Sequence, residues 1–353
     1  MCLTRKTTMS ELSNITFEAV CDKLEAASSV LILSHTRPDA DTLGSAFALR
    51  ELLRLMGKRA EVINGDVMPR RLRFIFGVDS LAPETLPEDF APDLTVSVDV
   101  STSKLLGTLE ADYGEKVDLA IDHHVLGTPF AKSTYVGDVG ACGEIIVDIF
   151  VEFEKRGKAS LNRAAAVALY AAICSDTGGF KYEAVSADTH RRAAKLHEAG
   201  INHAEIARRL YDSHPISQVM ATKAALGALH FYADGKLAVI NFTRAMMEPD
   251  NLTNEDIDDI INLTRTIEGV EIGMTIKQNA DDLTLFKVSM RSNRVADVSR
   301  LCALFGGGGH VRAGGCSVNA ENEKVAEEML VEAVVRELEA LSAKGAFDGV
   351  DTL

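Results

Sequence analysis

Short aliphatic runs that stop at an acidic or His-Asp cluster recur along the first half of the chain. No other feature restricts the fold as much. Val30–Ser34 runs into His35-Thr-Arg-Pro-Asp39-Ala-Asp41, Leu94–Val98 stops at Asp99, and Leu119–Ile121 ends in Asp122-His123-His124. Brief apolar runs of this kind read as buried strands, here 30–33, 60–63, 94–98 and 117–121. Between them, Ala46, Leu49, Leu53 and Met56 recur at helical spacing until Gly57 stops the pattern. The Ala-rich stretch 161–174 reads as a buried helix leading to Ser175-Asp176-Thr-Gly-Gly. Alternation of strand and helix predicts an α/β fold, a parallel sheet with helices on both faces. Ligands gather at the carboxyl ends of such strands, where three of the four clusters fall.

The second half reads differently. Residues 186–215 are charged and helical, without a turn-rich linker, and read as a connector ending at Ser213-His214-Pro215. Beyond it, strands are expected at 236–242, 270–277 and 283–290, with a closing helix over 323–341. That pattern predicts a smaller mixed α+β domain. Its most unusual feature is the glycine run Gly306–Gly309. A chain of 353 residues has room for about two such domains.

Composition narrows the function classes. The net charge of −15 opposes the neutralisation of many phosphates that binding long nucleic acid requires, so a nucleotide substrate should be short. No apolar run approaches the ~20 residues that span a bilayer, and the first residues lack the apolar stretch of a secretion signal. A cytoplasmic protein with no membrane partner is expected, with Met9 a candidate true start. The six cysteines show no Cys-x-x-Cys pair and read as reduced thiols, Cys174 as a core residue despite its closeness to Asp176.

His and Asp are the ligand types that hold Mn²⁺ and similar ions. In an extended loop, Asp39 and Asp41 point the same way and can serve neighbouring ions beside His35. Asp99, at a strand end, can bridge two ions through its two oxygens, with His123 and Asp176 completing the ligand shell of the second ion. Asp39, Asp41, Asp99 and Asp176 carry four negative charges, matching two divalent cations. Asp122 is placed to orient a histidine ring. Taken singly, an Asp before a helix is most often a cap and Asp-Thr-Gly-Gly a turn. Their joint occurrence on successive segment ends favours a two-metal hydrolytic site.

These four stretches resemble the four motifs of the DHH phosphoesterases. The segment Ser289-Met-Arg291-Ser292-Asn293, then Asp297-Val-Ser, then Gly306–Gly309 with His310-Val-Arg-Ala-Gly-Gly315, is similar to the DHH-associated C-terminal domain. The resemblance runs from about residue 30 to 340 and in size and spacing suits the stand-alone bacterial NrnA-type members. It implies a catalytic domain at 15–190, a connector at 191–215 and a substrate-binding domain at 216–345. It implies two Mn²⁺ ions, with Mg²⁺ or Co²⁺ as substitutes. One ion would be held by His35, Asp39 and Asp99, the other by Asp41, Asp99, His123 and Asp176. His124, backed by Asp122, would be the catalytic group, and Arg291, Ser292, Gly307, Gly308, Gly309 and His310 would grip the nucleotide. The implied reaction is attack of metal-bound hydroxide on phosphorus, in short oligoribonucleotides or 3′-phosphoadenosine 5′-phosphate.

Alternatives stay open. The same motifs suit a cyclic dinucleotide or its linear product, and a homodimer is compatible with them. A sensor built on a decayed enzyme would have lost ligands, and none is missing. A strand exonuclease needs nucleic-acid-binding domains for which this acidic chain has no room, and the C-terminal glycine motif argues against an inorganic pyrophosphatase.

Overall fold

The structure is a computed structural model that describes residues 13–76, 86–124, 127–257 and 260–347. Met1, Cys2 and Met9 lie outside them. The chain divides into two compact units between Ser213 and His214.

In chain order the first unit contains β1 (Ser13–Asn14), α1 (Phe17–Ala26), β2 (Ser29–Leu33), α2 (Ala40–Leu55), β3 (Arg59–Ile63) and β4 (Leu94–Val98). There follow α3 (Glu110–Tyr113), β5 (Leu119–Asp122), β6 (Ser133–Val136), α4 (Cys142–Lys155), α5 (Arg163–Asp176), α6 (Ala187–Glu198) and α7 (His203–Ala207). The strands form one parallel sheet in the order β1-β6-β5-β4-β2-β3. Strand β2 is followed in sequence by β3 on one side, whereas β4 and its successors lie on the other. The carboxyl ends of β2 and β4 therefore form the switch point where a parallel sheet opens a crevice.

Continuous apolar strands are buried on both faces. Val30 and Ile32 of β2 join the main core under α1, α2, α4 and α5, while Leu31 and Leu33 join a smaller cluster with Val100, Leu106 and Val117. That second face is covered more thinly, by α3 and short 3₁₀ turns. Helix α2 starts at Ala40, six residues before the apolar pattern begins at Ala46, because Asp39 caps it. Gly44 lets α2 lie close to α5, since a Cβ there would stand 2.4 Å from the Ala168 carbonyl oxygen. The helices expected to connect the two halves belong to the first unit, with Ala193, Leu196 and Ile206 buried in its main core.

The second unit holds α8 (Ile216–Gly227), β7 (Leu229–Tyr232), β8 (Leu237–Phe242), α9 (Arg244–Met247), α10 (Asn254–Ile257), α11 (Ile261–Arg265) and β9 (Ile272–Gln278). These are followed by β10 (Leu285–Ser292), α12 (Val298–Ala303), β11 (Gly308–His310), β12 (Ala313–Asn319) and α13 (Glu323–Ala343). Its sheet runs β11-β12-β10-β9-β8-β7 and is antiparallel except between β8 and β9. Burial alternates along β10 and β12 with the period of two that an extended strand imposes. Phe286, Val288, Met290, Cys316 and Val318 pack in one core with Leu330, Val334 and Leu338 of α13. All five described cysteines are buried free thiols. Among the described residues no helix is long and apolar enough to cross a membrane.

Candidate metal centre

Six of the expected ligands converge at the carboxyl ends of β2, β4 and β5. His35, Asp39 and Asp99 each offer an atom within 4.8 Å of the others, as do Asp41, His123 and Asp176, and as do Asp99, His123 and His124. Asp99 joins the groups like a fork. Its Oδ2 lies 3.3 Å from His35 Nε2, and its Oδ1 lies 3.4 Å from His123 Nε2. His123 Nε2 also lies 3.5 Å from Asp176 Oδ2 and 3.7 Å from Asp41 Oδ2.

Local structure aims each group. Asp99 adopts φ +59°, a left-handed conformation that costs a non-glycine residue energy and that turns its carboxylate off the end of β4. His35 donates from Nδ1 to the Thr36 carbonyl at 2.8 Å, which leaves Nε2 free to bind a cation. In His123 the same nitrogen faces the Val139 carbonyl at 3.4 Å. Asp39 is both cap and ligand candidate, for its Oδ1 accepts the N–H groups of Asp41 and Thr42. Asp41 is fully buried and accepts the N–H groups of Cys142 and Gly143 at 2.7 and 2.8 Å. It thereby caps α4 from a distance, where Ala141 supplies no side-chain cap. Gly143 allows that approach, since a Cβ there would stand 3.3 Å from Asp41 Oδ1 and 2.7 Å from the Ala172 methyl. Asp176 is the last residue of α5, where the helix dipole disfavours an anion. A cation beside it would remove the conflict.

Electrostatics show what the cluster lacks. Burial, with the charges of Asp99 and Asp176, pushes the Asp39 carboxyl up to about 6. Asp41 is driven well above the carboxylate range by burial and the same neighbours. Burial lowers His35 and His123, but their carboxylate neighbours prevail and raise them to about 9 and about 11. Burial also opposes ionisation of Asp99, yet the two histidines hold its carboxyl below the usual range. Among the described residues, Asp99 Oδ1 and His123 Nε2 are buried without a hydrogen-bond partner, an arrangement that costs energy unless something else fills it. An oxygen-and-imidazole donor set with two orphaned ligand atoms fits divalent cations bound by Asp and His.

Asp122 does not face the cluster directly. Its Oδ1 accepts the N–H groups of His123 and His124 at 2.8 and 3.2 Å, and His124 Nδ1 at 2.8 Å. That last bond fixes the His124 ring and, against the effect of burial, raises its affinity for a proton.

Sequence reasoning missed the support behind these groups. Asn64 donates to the His35 carbonyl at 2.8 Å. Glu144 is fully buried, accepts the Gly140 N–H at 3.0 Å, and pairs with Arg192 at 2.8 Å. It thereby steadies the segment that carries Val139 to His123. No local pattern marks Glu144 or Arg192, because the partners stand 48 residues apart.

In the second unit, Arg291 and His310 lie in one register row across β10, β12 and β11, each opposite Ala313. Arg291 is lowered by burial and by the nearby Arg265, and no carboxylate among the described residues pairs with it. Gly308 and Gly309 belong to the edge strand β11, and Gly307 precedes it so close to β12 that a Cβ would stand 2.2 Å from the Gly315 carbonyl oxygen. Ser292 departs from the expected role of ligand contact. It is 1% exposed, and its hydroxyl donates to the Ala296 carbonyl at 2.7 Å. It holds the turn after β10 and does not present itself to a ligand.

Comparison with known proteins places the chain among relatives of similar length. The chain is 27% identical, over 88% of its length and 90% of the relative's, to the bifunctional oligoribonuclease and PAP phosphatase NrnA of Thermus thermophilus. It is 23% identical to the protein of that name from Bacillus subtilis, over 84% of this chain and 91% of the relative. A solved structure, an exopolyphosphatase-related protein from Bacteroides fragilis, shares the fold with a TM-score of 0.81 at 21% identity, covering 96% of this chain and all of that one. Residues 29–173 match the DHH family, N-terminal domain, and residues 235–338 match the DHHA1 domain. The chain belongs to the DHH family, with a DHHA1 domain following its DHH domain.

Proposed function

We propose that the protein is a phosphoesterase that uses two divalent cations, Mn²⁺ by preference, to hydrolyse short oligoribonucleotides or 3′-phosphoadenosine 5′-phosphate. The observation that carries the reading is the Asp99 fork, one oxygen toward each of two His-Asp clusters. His35, Asp39 and Asp99 would hold one ion, and Asp41, Asp99, His123 and Asp176 the other. When bound, such ions acidify water and neutralise charge on a phosphoryl group. The chain's own contribution is to position and to move protons. Asp122 holds the His124 ring through Nδ1, so that Nε2 can donate to the phosphoryl or leaving oxygen. Arg291, the glycines and His310 would grip the nucleotide in the second unit, Arg291 as a guanidinium that no carboxylate among the described residues pairs with.

Curated relatives named as oligoribonuclease and PAP phosphatase support the choice of substrate class. The test is a panel on metal-stripped protein, with and without Mn²⁺. It contains a diribonucleotide, 3′-phosphoadenosine 5′-phosphate, cyclic di-AMP and a generic aryl phosphodiester. Turnover of the first two only after Mn²⁺ is added is the expected result. Cyclic di-AMP as the fastest substrate would shift the reading to a cyclic dinucleotide, and no metal-dependent turnover of any would overturn it.

A further inference from the structure

Beside Asp176 the chain makes an unusual turn. Gly178, Gly179 and Phe180 have φ of 57°, 70° and 65°, three consecutive residues in the left-handed region. Phe180 anchors the turn inward, stacked on His190 with ring centroids 5.4 Å apart. Two tyrosines flank the glycines. The Tyr182 ring lies so close over Gly178 that a Cβ there would stand 2.4 Å from its Cζ. The Tyr211 ring is in van der Waals range of Gly179, 3.6 Å from the position of a Cβ.

Both rings remain open to solvent, Tyr182 at 49% and Tyr211 at 39% exposure. Tyr211 is nevertheless fixed. Its hydroxyl donates to the Cys174 carbonyl at 2.5 Å, the carbonyl that also accepts the Gly179 N–H at 2.8 Å. It is presented by a π-helical turn, Arg208–Asp212, a rare geometry that recurs at functional sites. The glycines follow Asp176 by two and three residues, so the backbone against which the two rings pack lies within roughly 11 Å of chain from the metal-ligand candidate. A rigid, solvent-open aromatic face costs little entropy to use, and every nucleobase has a face to stack on it.

We propose that Tyr211, with Tyr182 beside it, is the stacking platform for the nucleobase attached to the phosphate that the metal centre attacks. The site would take any base, because stacking does not read the hydrogen-bonding edge. This proposal rests on the phosphoesterase reading for its ligand.

The test compares two ligands that share a phosphate and differ by a base, adenosine 5′-monophosphate and ribose 5-phosphate. Their dissociation constants are measured in Mn²⁺ for wild type, Tyr211→Ala, Tyr211→Phe and Tyr182→Ala. Wild type should prefer the nucleotide by about tenfold or more. Tyr211→Ala should bring the ratio close to one, Tyr182→Ala should lower it in part, and Tyr211→Phe, which keeps the ring, should retain most of it. A wild-type ratio near one, or an unchanged ratio in Tyr211→Ala, overturns the platform. Equal weakening of both ligands also overturns it, since that is the mark of a merely structural tyrosine. A wild type that binds neither ligand contradicts the phosphoesterase reading itself, and the platform with it.

Discussion

At the scale of residues, the centre is a group of carboxylates whose mutual repulsion bound cations would relieve. Asp39 is raised to about 6 by burial and then by Asp99 and Asp176. A carboxyl raised on folding stabilises the fold at low pH, and that contribution is lost as pH climbs through 6. His35, raised to about 9, stabilises the fold fully below its ordinary value and loses that effect as pH rises through 9. Both groups act in the same direction, so the metal-free protein should lose thermal stability between about pH 4 and 9. Cations compete with those protons, so the added stability from Mn²⁺ should grow over the same interval. Melting curves with and without Mn²⁺ at pH 5 and pH 8.5 check this, and an unchanged gap contradicts it. Asp99→Asn removes the fork's charge with little change of shape. It should lose most of the Mn²⁺-induced stabilisation and at least about a hundredfold in turnover, and near-wild-type rates would refute the two-ion assignment.

At the scale of elements, the ligands depend on helix ends that they also cap. Asp41 closes the N-terminus of α4, and the Glu144–Arg192 pair holds the segment before it. Arg192→Met strands a fully buried carboxylate, and removing one partner of such a pair costs about 3 kcal/mol or more. It should also weaken Mn²⁺ binding by roughly tenfold or more, as losses behind ligating groups do. A melt combined with a Mn²⁺ titration measures both, and unchanged Mn²⁺ affinity would show that the pair serves the fold alone. Much of this architecture was legible in sequence. The strands at 30–33, 60–63 and 94–98 coincide with aliphatic runs, and five of the six ligand candidates follow the carboxyl ends of β2, β4 and β5, with Asp176 brought in from the end of α5. The support was not legible, since Asn64, Glu144 and Arg192 act through partners far away in the chain. Strands β11 and β12 also escaped notice, because glycine carries little strand propensity and their pairing is set by the hairpin.

At the scale of the whole molecule, charge and local chemistry oppose each other. The chain carries −15 overall, so an extended polyanion is repelled by most of the surface and attracted only where bound cations would offset that charge. Few phosphates are contacted in such a site, and salt should weaken binding only modestly. A metal centre specialised for short substrates is tested most directly by the rate of hydrolysis across an RNA length series in saturating Mn²⁺. Rates should be highest on dinucleotides and decline beyond about five nucleotides, the extent expected of a small pocket. Equal or faster cleavage of strands of about 20 nucleotides, with a steep dependence on salt, would contradict the account and indicate an enzyme that follows long strands.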